Sequence, residues 1–128
     1  MADINTIETF LIDNNIGFKE LDPTTLYIED AANSIPGLFI AVNDPIVVVK
    51  ARVMTLPNAP NIQFFKKLLE LNAKDLPHGA YGLDGDDVVL VDTLELNTLD
   101  KEELMASIDS ISFALVNHYS ILKKTITA

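Results

Sequence analysis

The chain of 128 residues has no cysteine and no tryptophan, only five glycines, and just two histidines. Without cysteine there is no disulfide, no thiolate nucleophile and no cysteine-ligated zinc. His78 and His118 lie far apart and neither has a ligand-spaced partner, so a three-ligand metal site would need carboxylates recruited by folding alone. No serine, histidine and aspartate are brought together by spacing for nucleophilic catalysis. Positive charge is also scarce: nine Lys and Arg against nineteen Asp and Glu give a formal charge of −10. These cations are scattered between Lys19 and Lys124 with no basic stripe, which argues against nucleic acid as a partner. An anionic membrane would repel the chain for the same reason. The unbroken apolar runs, such as Ile46 to Val49, are too short to span a bilayer, and MADINTIETF lacks a charged-then-apolar leader pattern. The expectation is a cytoplasmic protein with no catalytic residues, no metal and no cofactor.

What is present is apolar patterning. Hydrophobic residues make up 48% of the chain, enough for a real core, and the length suits one domain over residues 1–128. Asp3 caps a helix whose apolar face holds Ile4, Ile7, Phe10, Leu11 and Ile12, and Gly17 suits the left-handed position that ends it. Phe18 to Leu21 reads as a short strand, which Thr25 to Asp30 either extends or replaces. Leu38 to Val42 and Ile46 to Leu56 form two strands around an Asn43-Asp44-Pro45 turn. In the second, Val47, Val49, Ala51 and Val53 point to the core, while Val48, Lys50, Arg52 and Met54 share a mixed, half-exposed face. Asn61 caps a helix from Ile62 to Ala73 with only a narrow polar stripe. Asp100 and Glu103 open a last helix of about five turns, carrying Leu104, Ile108, Ile111, Leu115, Tyr119 and Leu122 on one face. The order helix, three strands, helix, two strands, helix predicts an α+β fold with an antiparallel sheet.

Between the last two helices lies LPHGAYGLDGDDVVLV. Gly79, Gly82 and Gly85 do not match a dinucleotide fingerprint, because a strand follows and aspartates surround them. Asp84, Asp86, Asp87 and Glu95 offer calcium-binding oxygens, yet Val89 stands where an EF-hand demands glycine, which leaves at most weak binding at the turn. The stretch reads best as a hairpin turning at Asp84-Gly85, or one residue later at Gly85-Asp86. Gly79 and Gly82 mark a close backbone approach or a bulge. Val88 to Val91 is apolar on both faces, and its cover is either the rest of the monomer or a second copy.

The segment FFKKLLELNAKDLPHGAYGLDGDDVVLVDTLELNTLDKEELMASI resembles the central motif of the type III secretion chaperone-like fold. Its parts are a leucine-rich helix ending in L-E-L-N, a G-A-Y-G-L-D strand and turn, a V-V-L strand with an L-E-L tail, and L-D-x-x-E-L opening the last helix. Within that fold it is most similar to the bacterial YbjN-type domain, described as a regulator of sensory transduction. The resemblance implies a homodimer without enzymatic activity that holds an extended segment of another protein on apolar patches and at sheet edges. The patch would use Phe10, Leu11, Phe39, Val48 and Met54. The dimer contacts, by the same similarity, would use Phe65, Leu69, Tyr81 and Val89. The alternative is a regulator that binds a folded partner or a small signal.

Overall fold

The computed structural model describes residues 3–127. Helix α1 spans Ile4–Asp13, and strands β1 (Lys19–Asp22), β2 (Thr25–Asp30), β3 (Ile35–Asn43) and β4 (Ile46–Thr55) follow. Helix α2 (Ile62–Lys74), strands β5 (Ala80–Asp84) and β6 (Asp87–Glu95), and helices α3 (Lys101–Asn117) and α4 (Tyr119–Thr127) complete the order. The six strands form one antiparallel sheet in the order β1-β2-β3-β4-β6-β5. The α+β architecture is the one expected; the sheet has one strand more, because Lys19–Asp22 and Thr25–Asp30 pair with each other instead of competing for one place.

The helix ends follow from side chains beside them. Asp3 accepts from the amides of Asn5 and Thr6 and starts α1. Asn15, not Gly17, takes the left-handed conformation that ends it, with φ 57°. The amide of Ile16 then reaches the Leu11 carbonyl and that of Asn15 the Ile12 carbonyl, a Schellman closure that folds Ile16 back onto Leu11. Asn61 accepts from the Phe64 amide at 2.9 Å to open α2, and Asp100 accepts from the Glu103 amide at 2.7 Å to open α3.

Alternation decides what the sheet buries. Leu26, Ile28, Leu38, Ile40, Val47, Val49, Ala51 and Leu90 point to one face and join Ile7 and Leu11 of α1, Phe64 and Leu68 of α2, and Leu104, Ile108 and Ile111 of α3 in a single core. A bulge between Arg52 and Met54 disturbs the alternation in β4. Its extra residue turns Met54 toward the core side, opposite Val88 and half-buried against the core, which corrects its expected place beside Val48. The β5–β6 hairpin pairs Asp84 with Asp87, so the turn is Gly85-Asp86 with Gly85 at φ 60°, the later of the two alternatives. Gly79, at φ 82°, is a close approach: a Cβ there would lie 3.1 Å from the Val91 carbonyl. Gly82 is not, since nothing lies within 4 Å of its missing Cβ.

The last helix differs from its expected form. The periodic stripe from Leu104 to Leu122 runs across a break at His118, beyond which α4 turns onto α2. His118 is 1% exposed while Tyr119, expected on the apolar face, is 41% exposed. The cause is tertiary: the His118 ring is bonded to two other elements, described below.

Asp30 fastens the start of the sheet to α1. Its carboxylate accepts from the Gly17 amide at 3.0 Å and from Asn33, whose own amide group also donates to the Asn15 carbonyl. The Gly17 amide, then the Asn33 side chain, hold the Asp30 carboxyl below the usual carboxylate range. A carboxyl lowered in the folded state stabilises above its unfolded pKa of ~3.9 and loses that contribution as pH falls through the folded value. Asp30→Ala is therefore expected to melt lower than the parent at neutral pH, with the two melting curves converging well below ~3.9. Thermal circular dichroism across pH checks this, and a constant gap at all pH values would contradict it.

Candidate functional site

Among the described residues, no helix covers the second face of the sheet. Lys19, Tyr27, Phe39, Ala41, Val48, Lys50, Arg52, Val89 and Val91 share it by register. Tyr27 and Phe39, directly paired on β2 and β3, stack with ring centroids 5.0 Å apart. Gly37 makes room for that ring: a Cβ there would sit 2.7 Å from the Tyr27 hydroxyl oxygen. Beside the stack a hollow of about 490 Å³ has Phe39, Ala41 and Val48 in its walls and Lys50, Arg52 and Asp84 around it.

Ion pairs frame the hollow. Lys50 Nζ reaches Asp84 at 2.5 Å, and Arg52 Nε reaches Asp87 at 3.0 Å while its other end donates to Thr55. Lys50 and its hydrogen bond hold the Asp84 carboxyl below the usual range. Two of the turn aspartates are thus occupied by cations, and among the described residues no group of three or more His, Asp or Glu side chains could hold a metal ion. To meet Asp84 on β5, the Lys50 stem must cross β6. That crossing, with Arg52 directly opposite Val89, explains why Val89 is only 4% exposed on a face without a helix. Cover for Val89 comes from within the chain and does not require a second copy.

One buried polar chain lies on the opposite side. Tyr81 Oη is 2.8 Å from His118 Nδ1, and His118 Nε2 is 3.1 Å from Asp75 Oδ2. A carboxylate only accepts, so Nε2 carries a proton, and in the neutral ring Nδ1 then accepts from the tyrosine. Burial, and secondarily the Asp75 charge, push the Tyr81 phenol well above its ordinary value, so it stays a donor. The three residues have a relay's geometry, but the hydroxyl spends its proton on His118. The network clasps the C-terminus of α2 and strand β5 to the α3–α4 joint. Ser110 adds to it by exchanging hydrogen bonds with both backbone groups of His78.

The residues expected in a binding patch are divided by this arrangement. Phe39 is 39% exposed and Val48 half-buried, and both line the hollow. Leu11 is wholly buried and belongs to the core, not the surface, while Phe10 and Met54 are half-buried against the core and lie away from the hollow. The expected dimer contacts do not form one surface either. Phe65 is half-buried on α2, Leu69 on the same helix is 68% exposed, Tyr81 is inside the clasp, and Val89 lies under the ion pairs on the far side of the sheet. Sequence reasoning passed over Tyr27, Ile62 at 77% exposure, and Phe113 at 57%. Ile62 was visible as an apolar residue in the first turn of α2, and Phe113 as the apolar residue that falls opposite the stripe of Leu104, Ile108, Ile111 and Leu115.

An antiparallel sheet with helices over one face, in this element order, defines an α+β domain of the type III secretion chaperone-like class. The CesT_Tir_1 family model, a type III chaperone family, matches residues 1–127, and the chain belongs to that family. Solved structures agree on the fold. A chain of the heterodimeric ExoU–SpcU complex from the type III secretion system of Pseudomonas aeruginosa superposes with a TM-score of 0.71 at 17% identity, covering 93% of this chain and 96% of that one. YbjN from E. coli gives 0.67 at 17% identity over 91% of each chain. The Yersinia pestis type III secretion chaperone SycH, solved with a fragment of YscM2, gives 0.54 at 19% identity over 96% of each. No curated protein matches in sequence. Among the described residues, no helix is long and apolar enough to cross a membrane.

The clasp makes a direct prediction. Tyr81→Phe leaves His118 Nδ1 buried without a partner, which should cost about 1–3 kcal/mol. Urea denaturation measures this, and an unchanged midpoint would mean that the hydroxyl contributes nothing to α3–α4 docking.

Proposed function

We propose that the chain is a non-enzymatic protein-binding domain, a chaperone or adaptor that holds an extended segment of another protein as class I type III secretion chaperones do, and that it does so in the cytoplasm. The observation that carries this reading is the helix-free sheet face, where Tyr27, Phe39, Val48 and the hollow beside them leave apolar surface open. Strands β1 and β5 are the two edges of the sheet. Strand β1, sequence KELD, is blunted by charge, and on β5, AYGLD, the Asn72 side chain already bonds the amide and the carbonyl of Tyr81. A strand added to β5 would therefore find open backbone only beyond Tyr81, and would send alternate side chains toward the open face. The fold shared with chains from two type III secretion complexes supports a protein partner.

The expected test is capture from the native host followed by peptide mapping. The parent should retain a defined extended segment, and the double variant Phe39→Asp, Val48→Asp should bind it at least about tenfold more weakly, as loss of an interface anchor does. Equal retention by both would remove the sheet face from the function.

We further propose that the functional unit is a homodimer joined through α2. Ile62, Phe65 and Leu69 fall at spacings of three and four along one stripe, and Ile62 and Leu69 are the most exposed large apolar side chains among the described residues. Leu69→Asp should convert the dimer to a monomer in sedimentation analysis. A parent that sediments as a monomer at high concentration would sink the proposal. The second reading, a YbjN-type regulator that binds a folded partner or a small signal without a secretion role, draws support from the YbjN-like fold; it gains if the captured species is compact rather than extended.

A further inference from the structure

A separate surface lies along the solvent side of α3. Three clefts of about 360, 290 and 430 Å³ follow one another there. Ser34 and Val116 line both the first and the second, and Asp109 and Phe113 line both the second and the third. They therefore adjoin one another, from Pro36 to Ala106 and Pro77, with Asp109 and Phe113 standing between the second and the third. Ala106 to Val116 covers ~15 Å of helix at 1.5 Å per residue. Phe113 and Val116, 57% and 61% exposed, stand up along it as apolar anchors. At the floor of the second cleft Ser112, 5% exposed, has a hydroxyl with no hydrogen-bond partner.

The charge of this surface selects its occupant. Asp75 and Asp109 stand among its lining residues, Glu29 lies at its end with its carboxylate bonded to the Tyr27 hydroxyl, and no lysine or arginine lines it among the described residues. A second copy of the chain would bring the same acidic rim, with Asp75 and Asp109 facing their own copies, a local like-charge encounter that opposes two-fold packing on this face. An extended segment is also disfavoured. The neighbouring element is a helix whose backbone bonds are internal, so a strand laid along it would leave its own amides unpaired against an apolar wall. A helix brings its backbone already satisfied.

We propose that the outer face of α3 is a second docking surface, for a basic amphipathic helix whose apolar stripe seats against Phe113 and Val116 and whose lysines or arginines meet Asp109 and Asp75. This rests on the protein-binding reading only in the kind of ligand, because the sheet face lies on the other side of the molecule.

The test is fluorescence anisotropy with a labelled Leu/Lys peptide of about eighteen residues, leucines at helical spacing, against a Leu/Glu counterpart with the same stripe. The Leu/Lys peptide should bind and the Leu/Glu peptide should not. Phe113→Ala should weaken binding by about tenfold and Asp109→Lys by about fivefold; both residues are exposed, and unchanged melting would confirm that the variants fold. Val116→Ser provides a second apolar variant with the same expectation. The sheet-face variant Phe39→Asp, Val48→Asp should bind the peptide as the parent does. Unaltered affinity in the α3 variants, equal binding of the Leu/Glu peptide, or loss of binding in the sheet-face variant would overturn the proposal. So would a change of oligomeric state on Phe113→Asp, which would assign the surface to a second copy.

Discussion

Burial of every other residue beneath one layer of helices is the constraint on which the rest depends. A strand shows its side chains alternately to two faces, and helices α1, α2 and α3 supply apolar cover to only one. The core side is consequently dense with Leu, Ile and Val. The other side must be kept soluble by the chain itself or be covered by something else. The protein does some of each: Lys50 and Arg52 lay their stems over Val89 and end in ion pairs, while Tyr27 and Phe39 stay half-open. Exposed ion pairs of this kind add little stability. Their effect here is to close one part of an apolar sheet while the neighbouring part remains available.

The same economy explains the C-terminal segment. His118 stands four residues after Ala114 and seven after Ile111, both buried, so the period of α3 carries it to the core side, while Tyr119 follows the half-buried Leu115. The helix breaks there, with His118 bonded to Tyr81 and Asp75, and Leu122 on α4 still reaches the core. A buried imidazole is tolerable because each ring nitrogen has a partner. The break tucks α4 against α2, which leaves the outer face of α3 uncovered between Val116 and Ala106. A polar clasp inside the molecule thereby determines which apolar surface faces solvent outside it.

Much of the fold was legible along the chain because its signals are local. Asp3, Asn61 and Asp100 mark helix starts through bonds to amides two or three residues away. Period-two patterning in Ile46 to Leu56 identifies a strand and its buried side, until a bulge of one residue reverses Met54. The motif from Phe64 to Ile108 was enough to indicate the family. The binding surface was much less legible. Phe39 and Val48 do reach the open face, but Leu11, apolar in the same way, is core, since composition does not say which side of a helix the sheet will cover.

By itself, then, the sequence determined the element types, the turns built on Asp, Asn, Gly and Pro, the acidity and the lack of thiol and basic-stripe chemistry. These rest on neighbours within a turn of helix or a hairpin. The tertiary structure alone decided that β1 and β2 are both strands, that α3 ends at His118, that Val89 is roofed by Lys50 and Arg52, and that Phe113 and Ser112 share a cleft. Each of those outcomes joins residues remote along the chain, and only packing, with its demand that buried polar groups find partners and apolar ones find cover, brings them together.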